Sequence, residues 1–246
     1  MTIEPLTIEL FLCLSGVLIV SIGVVFWQAS HQLGYTSGSR NRIVIGSALG
    51  IALWQIFTAI LAYSGLLRAT SSHPPLEPLL PVTALAILIA VSRSGGFSEI
   101  ARAIPIWQPI AFQSFRIVVE YLFYRLFIEG DAPVQVTFEG RNFDIFVGFT
   151  APFVALAVCF RWIGKRGIIA WNLLGLLVLI NTIVTVITST PGPLHLNWPG
   201  EPFVAFGTWP VIWIPSFYAP LAIFLHVLSI RQAMRLEINR APPPFE

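Results

Sequence analysis

Arg116 and Glu120 stand four residues apart inside an apolar run long enough to cross a bilayer, in a chain of 246 residues of which only 11% are Asp, Glu, Lys or Arg. Charge in hydrocarbon is expensive, so an ionisable residue there is a functional candidate. At about 100° per residue, Gln113, Arg116, Glu120, Tyr124 and Phe127 share one quarter of the helix circumference, while Arg125 and Glu129 take the other side. Arg and Glu at i, i+4 can pair directly, which lowers the insertion cost without removing it. Arg116 is close enough to one end to snorkel; Glu120 is not. Two chemistries follow. In one, Glu120 takes and gives up a proton while Arg116 tunes it or holds an anionic group. In the other, the pair only fixes helix packing.

The segment after this run reads Val-Gln-Val-Thr-Phe-Glu-Gly-Arg-Asn-Phe-Asp over residues 134–144. Its alternation followed by Gly140 predicts a short extended stretch and a turn that bring Glu139, Arg141, Asn142 and Asp144 to the outer mouth. Asn142 or Asp144 is a natural helix N-cap, and the spacing matches no calcium loop. Gln55 and Thr58 in one run, and Asn181, Thr185 and Thr188 in another, form helical-spaced polar stripes that either complete a site with Arg116 and Glu120 or hydrogen-bond between helices.

Several chemistries are excluded. A retinal-type Schiff base needs a Lys on the last helix, and the one Lys is Lys165, in a loop. His31, His73, His195 and His226 are too far apart in sequence for a zinc site of the HxxxH type, and no GxSxG elbow is present. His31 and His226 near helix ends would allow a bis-His haem only if their helices were neighbours. Cys13 and Cys159 lack metal-ligand spacing and read as packing residues. No metal and no cofactor is expected.

What must position these residues is a membrane bundle. Hydrophobic residues make up 56% of the chain and its mean hydropathy is +0.79, outside the range of soluble domains. The apolar runs predict an all-α polytopic bundle of seven spans, at 6–26, 43–67, 79–91, 110–128, 144–160, 168–188 and 207–230. No room is left for a soluble catalytic domain. Acidic Glu4 and Glu9 and the lack of a small-residue cleavage site predict that the first run is a retained helix. Ten Lys and Arg residues fall in alternate connecting segments against two in the others. The positive-inside rule then puts the N-terminus outside and the C-terminus in the cytoplasm.

Between the third and fourth spans, Phe97, Ile100, Ile104 and Trp107 oppose Ser98, Glu99 and Arg102, predicting an amphipathic helix on the cytoplasmic surface that ends at Pro105 and Pro109. Gly46 and Gly50 form a GxxxG suited to close packing or a homo-oligomer. Pro210, Pro215 and Pro220 predict a bent last helix with freed carbonyls. The segment 191–206, rich in Pro and Gly, predicts an outer cap with Trp198 and Trp209 in the aromatic belt.

A shift of 124 residues aligns Arg42 with Arg166, Thr58 with Thr182, and Pro75, Glu77 and Pro78 with Pro199, Glu201 and Pro202. This predicts a parallel repeat, with halves at 1–93 and 144–231 joined by a linking helix at 110–129 and sites expected near the midplane. Such a 3+1+3 plan is similar to that of SWEET-type sugar transporters, without the Pro-Gln pair of that family. The runs Phe-Arg-Ile-Val-Val-Glu (115–120) and Thr-Phe-Glu-Gly-Arg-Asn-Phe-Asp-Ile-Phe-Val-Gly-Phe-Thr (137–150) resemble a family of uncharacterised bacterial polytopic membrane proteins. That resemblance implies a multi-pass protein of the bacterial inner membrane and carries no activity. The residues point first to a carrier or binding protein for a small polar or anionic molecule, ahead of an enzyme, with Gln113, Arg116, Glu120, Tyr124, Gln55 and Asn181 lining the site. The alternatives are an accessory or scaffold subunit of a larger membrane complex and an intramembrane enzyme acting on a lipid headgroup. Expected partners are membrane lipid, a small-molecule ligand and a membrane complex, with no nucleic acid.

Overall fold

Pro5, which has no amide hydrogen to leave unpaired, opens the first helix of the protein, α1 (Pro5–Gln32). The structure is a computed structural model that describes residues 3–67 and 76–235. Gly34, at φ 74°, makes the left-handed turn into α2 (Ser37–Tyr63), whose first turn is capped by Thr36 Oγ1 accepting from the Ser39 amide at 3.3 Å. The two helices then pack side by side. After the residues not described, which include His73 and Pro75, come α3 (Leu79–Arg93) and α4 (Gly95–Ala103). They meet at a bend of 83°, made where Ser94 leaves helical geometry and caps α4 by accepting from the Phe97 amide. A short helix therefore lies where the sequence predicts an amphipathic one.

The predicted run 110–128 is broken. A short helix α5 (Trp107–Phe112) and α6 (Phe115–Ile128) are separated by Gln113 and Ser114. Here the backbone bonds tighten to the i, i+3 kind, with Gln113, Ser114, Arg116 and Ile117 each bonding three residues back at 3.1 Å. Ser114 Oγ donates to Ala111 O at 2.6 Å, competing for a carbonyl of the turn.

The helices α7 (Asp144–Cys159) and α8 (Lys165–Ser189) follow. The last helix, α9 (Ala219–Arg235), is entered through one π-helical turn, Ile214–Tyr218. Pro220 cannot donate to Ser216 O, and Trp54 Nε1 from α2 fills that vacancy at 2.8 Å. The freed carbonyl predicted from the prolines is present, at Ser216. The stretch 134–136 differs from the extended form expected: it is a 3₁₀ turn. Thr137 Oγ1 closes it on Val134 O at 2.8 Å, while Gln135 is buried against Ser189.

Among the described residues four helices are long and apolar enough to cross a membrane, Pro5–Gln32, Ser37–Tyr63, Lys165–Ser189 and Ile214–Arg235, or five if the bent α3–α4 pair counts as one span. Their outward faces are apolar: Leu49, Leu53, Ile56 and Ile60 stand exposed along α2, and Leu173, Leu177, Ile180 and Val184 along α8. Polar side chains such as Thr7, Ser15, Thr58, Asn172 and Ser229 point inward. Apolar outside and polar inside is the arrangement of a protein whose solvent is lipid.

Candidate functional site

Arg116 is the largest fully buried side chain, at 2% exposure. Its partner is not Glu120 one turn along. Nε and Nη2 both reach Asp144, Nε to Oδ2 at 3.1 Å and Nη2 to Oδ1 as a short ion pair. A two-point guanidinium–carboxylate contact is the strongest geometry available to this pair. It forms because α6 and α7 approach closely at Gly148, where a Cβ would sit 2.9 Å from the Ile117 amide nitrogen.

The third nitrogen, Nη1, lies 3.0 Å from His226 Nε2 on α9. A guanidinium can only donate, so Nε2 accepts and the ring hydrogen resides on Nδ1. From there it goes to Asn172 Oδ1 at 2.8 Å, and Asn172 Nδ2 donates to Ile168 O at 2.8 Å. Each donor thus meets an acceptor along the line Arg116, His226, Asn172. His226 is fully buried, and with both ring nitrogens engaged it has none left for a haem iron. His31 is exposed and stacks on Trp27.

Glu120 is also fully buried, and neither carboxylate oxygen has a hydrogen-bond partner among the described residues. The charges that face it are those of Asp144 and Arg116. Asn142 lies beside it, but its amide donates to Val136 O at 3.0 Å and its Oδ1 accepts from Thr182 Oγ1 at 2.7 Å and from the Asp144 amide at 3.1 Å. Asn142 therefore shapes the start of α7 and aims Asp144 inward. With Arg116 and Asp144 neutralising each other, Glu120 is the one carboxyl of the cluster without a counter-charge of its own.

The other candidates divide. Gln113 is buried and donates to Ala222 O at 3.0 Å, one face of the cluster. Tyr124 is half-buried and stacks on Phe138 at 5.1 Å. Gln55 belongs to a separate node, donating to Ser15 Oγ at 3.0 Å, which in turn meets the Tyr218 hydroxyl at 2.8 Å. Asn181 holds the loop before α7 by donating to Arg141 O at 2.7 Å. Glu139 and Arg141 are exposed, Arg141 lying over the Trp198 ring at 4.9 Å; Asn142 and Asp144 are buried instead of lining a mouth. At the far end of α6, Arg125 pairs with Glu129 and with Glu4 of the α1 start, both at 2.7 Å.

Sequence reasoning passed over His226 and Asn172 as members of this cluster. The signal was available: each is a polar residue within an apolar run. Among the described residues no group of His, Cys, Asp and Glu is arranged to hold a metal ion. A cavity of about 610 Å³ is lined by none of Arg116, Glu120, Asp144 or His226, and all four side chains are buried.

A family model described as "Domain of unknown function (DUF8737)" matches residues 74–234, and the chain belongs to that family. No curated protein and no solved structure matches the chain.

Proposed function

We propose that this member of the DUF8737 family is a membrane carrier that moves a small anion together with a proton through the cluster of Arg116, Asp144, Glu120 and His226. The observation that carries the reading is the unpartnered, fully buried Glu120 carboxyl beside a fully paired Arg116. A closed site in a bilayer tolerates little net charge. Arg116 and Asp144 already sum to zero, so Glu120 is neutral only when it holds its proton. An anion that takes Arg116 from Asp144 adds a negative charge and is accommodated only when the released Asp144 takes a proton, which the facing Glu120 passes to it and regains.

Two discontinuities adjoin the cluster and support a moving part: the break at Gln113 and Ser114 just before Arg116, and the π turn that leads into the helix of His226. The closed cluster is then the occluded form of the cycle. The seven-span, N-outside arrangement in a bacterial inner membrane belongs to this reading, with α4 on the cytoplasmic surface. It rests on the distribution of basic residues and on the resemblance to bacterial polytopic proteins.

The full hydrogen bonding of Arg116, Asp144, His226 and Asn172 favours a second reading, in which the cluster locks a scaffold subunit. Purified protein in liposomes separates them. The carrier reading expects an imposed inward proton gradient to drive uptake of one or more labelled small carboxylates or phosphate, and Glu120→Gln to abolish it in protein of unchanged melting temperature. Absence of gradient-driven uptake across a carboxylate and phosphate panel, with the wild type folded, counts against the carrier.

A further inference from the structure

A cavity of about 610 Å³ lies between α2, α3 and α9. Its walls are apolar: Trp54 and Phe57 from α2, Leu88 from α3, Phe217 and Leu221 near the π turn. Gly46 and Gly50 are part of the α2 wall, and a Cβ at either would meet nothing within 4 Å. These glycines therefore do not serve a contact within the chain.

A second cavity of about 290 Å³ adjoins it at the corner of α3, α4 and α9. Leu88, Phe97, Phe224 and Leu228 belong to the walls of both. Phe97 and Phe224, edge to face at 5.7 Å, form the partition. The second cavity differs in chemistry, because Arg231 and Arg235, one turn apart on α9, line it together with Ser92 and Ser98. No Asp or Glu lines either cavity, and among the described residues neither arginine has an ion pair. The corner is held in place by Gln232, which donates to Ala101 O at 3.0 Å and Ile104 O at 2.8 Å and so pins α9 to the end of α4.

We propose that this corner binds an anionic glycerophospholipid, with its phosphate at Arg231 and Arg235 and an acyl chain in the apolar cleft behind Phe97 and Phe224. Charge complementarity selects the headgroup, and the continuity of a basic mouth with an apolar cleft selects a molecule that carries both parts. Basic pockets between membrane helices are lipid sites of this kind. Four Lys and Arg residues, Arg93, Arg102, Arg231 and Arg235, lie on the three helices that form the corner. The inference is independent of the carrier reading.

The test is native mass spectrometry of the full chain released from nanodiscs of equal phosphatidylglycerol and phosphatidylcholine. Two arginines at an anionic surface predict a preference for phosphatidylglycerol of roughly thirtyfold, which is about 2 kcal/mol. Arg231→Gln with Arg235→Gln is expected to reduce it to within about threefold of unity. Should that variant not fold, spin-labelled lipids report on the wild type alone: the motionally restricted fraction is expected to be larger for phosphatidylglycerol and to shrink in high salt. Equal retention of the two lipids, or a preference unchanged in the double variant, overturns the proposal. Added inorganic phosphate releasing the bound lipid at low concentration would assign the arginines to a free anion instead. A dimer mass without lipid would give the cleft to a second copy of the chain.

Discussion

Arg116 and Asp144, 28 residues apart in sequence, meet through two buried guanidinium nitrogens, while Glu120, a single turn from Arg116, has no hydrogen bond among the described residues. The long-range contact wins over the local one for a geometric reason. Asp144 meets Nε and Nη2 with one carboxylate oxygen each, whereas an i, i+4 pair on one helix must bend both side chains along the axis to touch. The same preference sends Arg116 Nη1 to His226.

This asymmetry separates two substitutions of similar appearance. Asp144→Asn leaves Arg116 buried with its charge uncompensated and is expected to cost about 3–5 kcal/mol. Glu120→Gln removes no hydrogen bond among the described residues and is expected to change stability by less than about 1 kcal/mol. Unfolding titrations in a fixed detergent mixture measure both, and comparable losses for the two variants would contradict the arrangement.

Glycines give a second contrast. A Cβ at Gly175 would lie 2.7 Å from His226 Nε2, the atom that accepts from Arg116. Gly175→Ala therefore pushes the ring out of the network and is expected to cost about 1–3 kcal/mol. Gly148→Ala, against the Ile117 backbone, belongs to the same class. Gly46→Ala and Gly50→Ala face open space and are expected to be neutral or slightly stabilising, since Ala is the better helix former by about 0.8–1.0 kcal/mol. A melting series over the four variants checks the order.

The turn between α7 and α8 offers a stabilising change. Arg161 has φ 60°, the left-handed region, and closes the end of α7 with its amide donating to Val158 O at 3.1 Å and the Trp162 amide to Ala157 O at 2.8 Å. That is the position where helices commonly carry Gly. Arg161→Gly is expected to raise stability by about 1 kcal/mol, read as a higher melting temperature. A lower one would mean that the arginine side chain contributes more than its backbone costs.

The sequence was informative about what lies on one helix and poor about what lies between helices. The inward stripe of Gln113, Arg116 and Glu120 was legible because helical periodicity alone brings these residues to one face, and all three are buried. The short helix at α4 and the carbonyl freed by Pro220 were legible for the same local reason. The partnership of Arg116 with Asp144 and His226 was not, since it depends on how α6, α7 and α9 pack, and apolar helices of similar composition carry no label of their neighbours. The alternation at 134–136 misled because Gln135, a polar residue, is buried to reach Ser189, and an inward polar side chain reads as an outward one. The break at Gln113 and Ser114 was hidden because no Gly or Pro within 110–128 marks it.

Glu77 precedes α3 outside the apolar spans, with 6% of its surface exposed and Oε2 without a partner among the described residues. Its carboxyl packs on Gly207, where a Cβ would lie 2.8 Å from Oε1. Burial raises its pKa above the ordinary carboxylate value, a hydrogen bond from its own backbone opposing in part. The folded state therefore binds this proton more tightly than the unfolded chain does. The stabilisation from that proton is full below the unfolded value, near 4.3, and is lost as pH rises through the folded one. The wild type loses that stabilisation as pH rises, whereas Glu77→Gln carries a neutral amide of the same shape at every pH. The expected outcome is a variant that melts above the wild type at pH 7, with the difference shrinking toward zero as the pH is brought down to about 4. Subtracting one curve from the other cancels the remaining titrating groups, and a difference that stays constant over that range would remove Glu77 as its source.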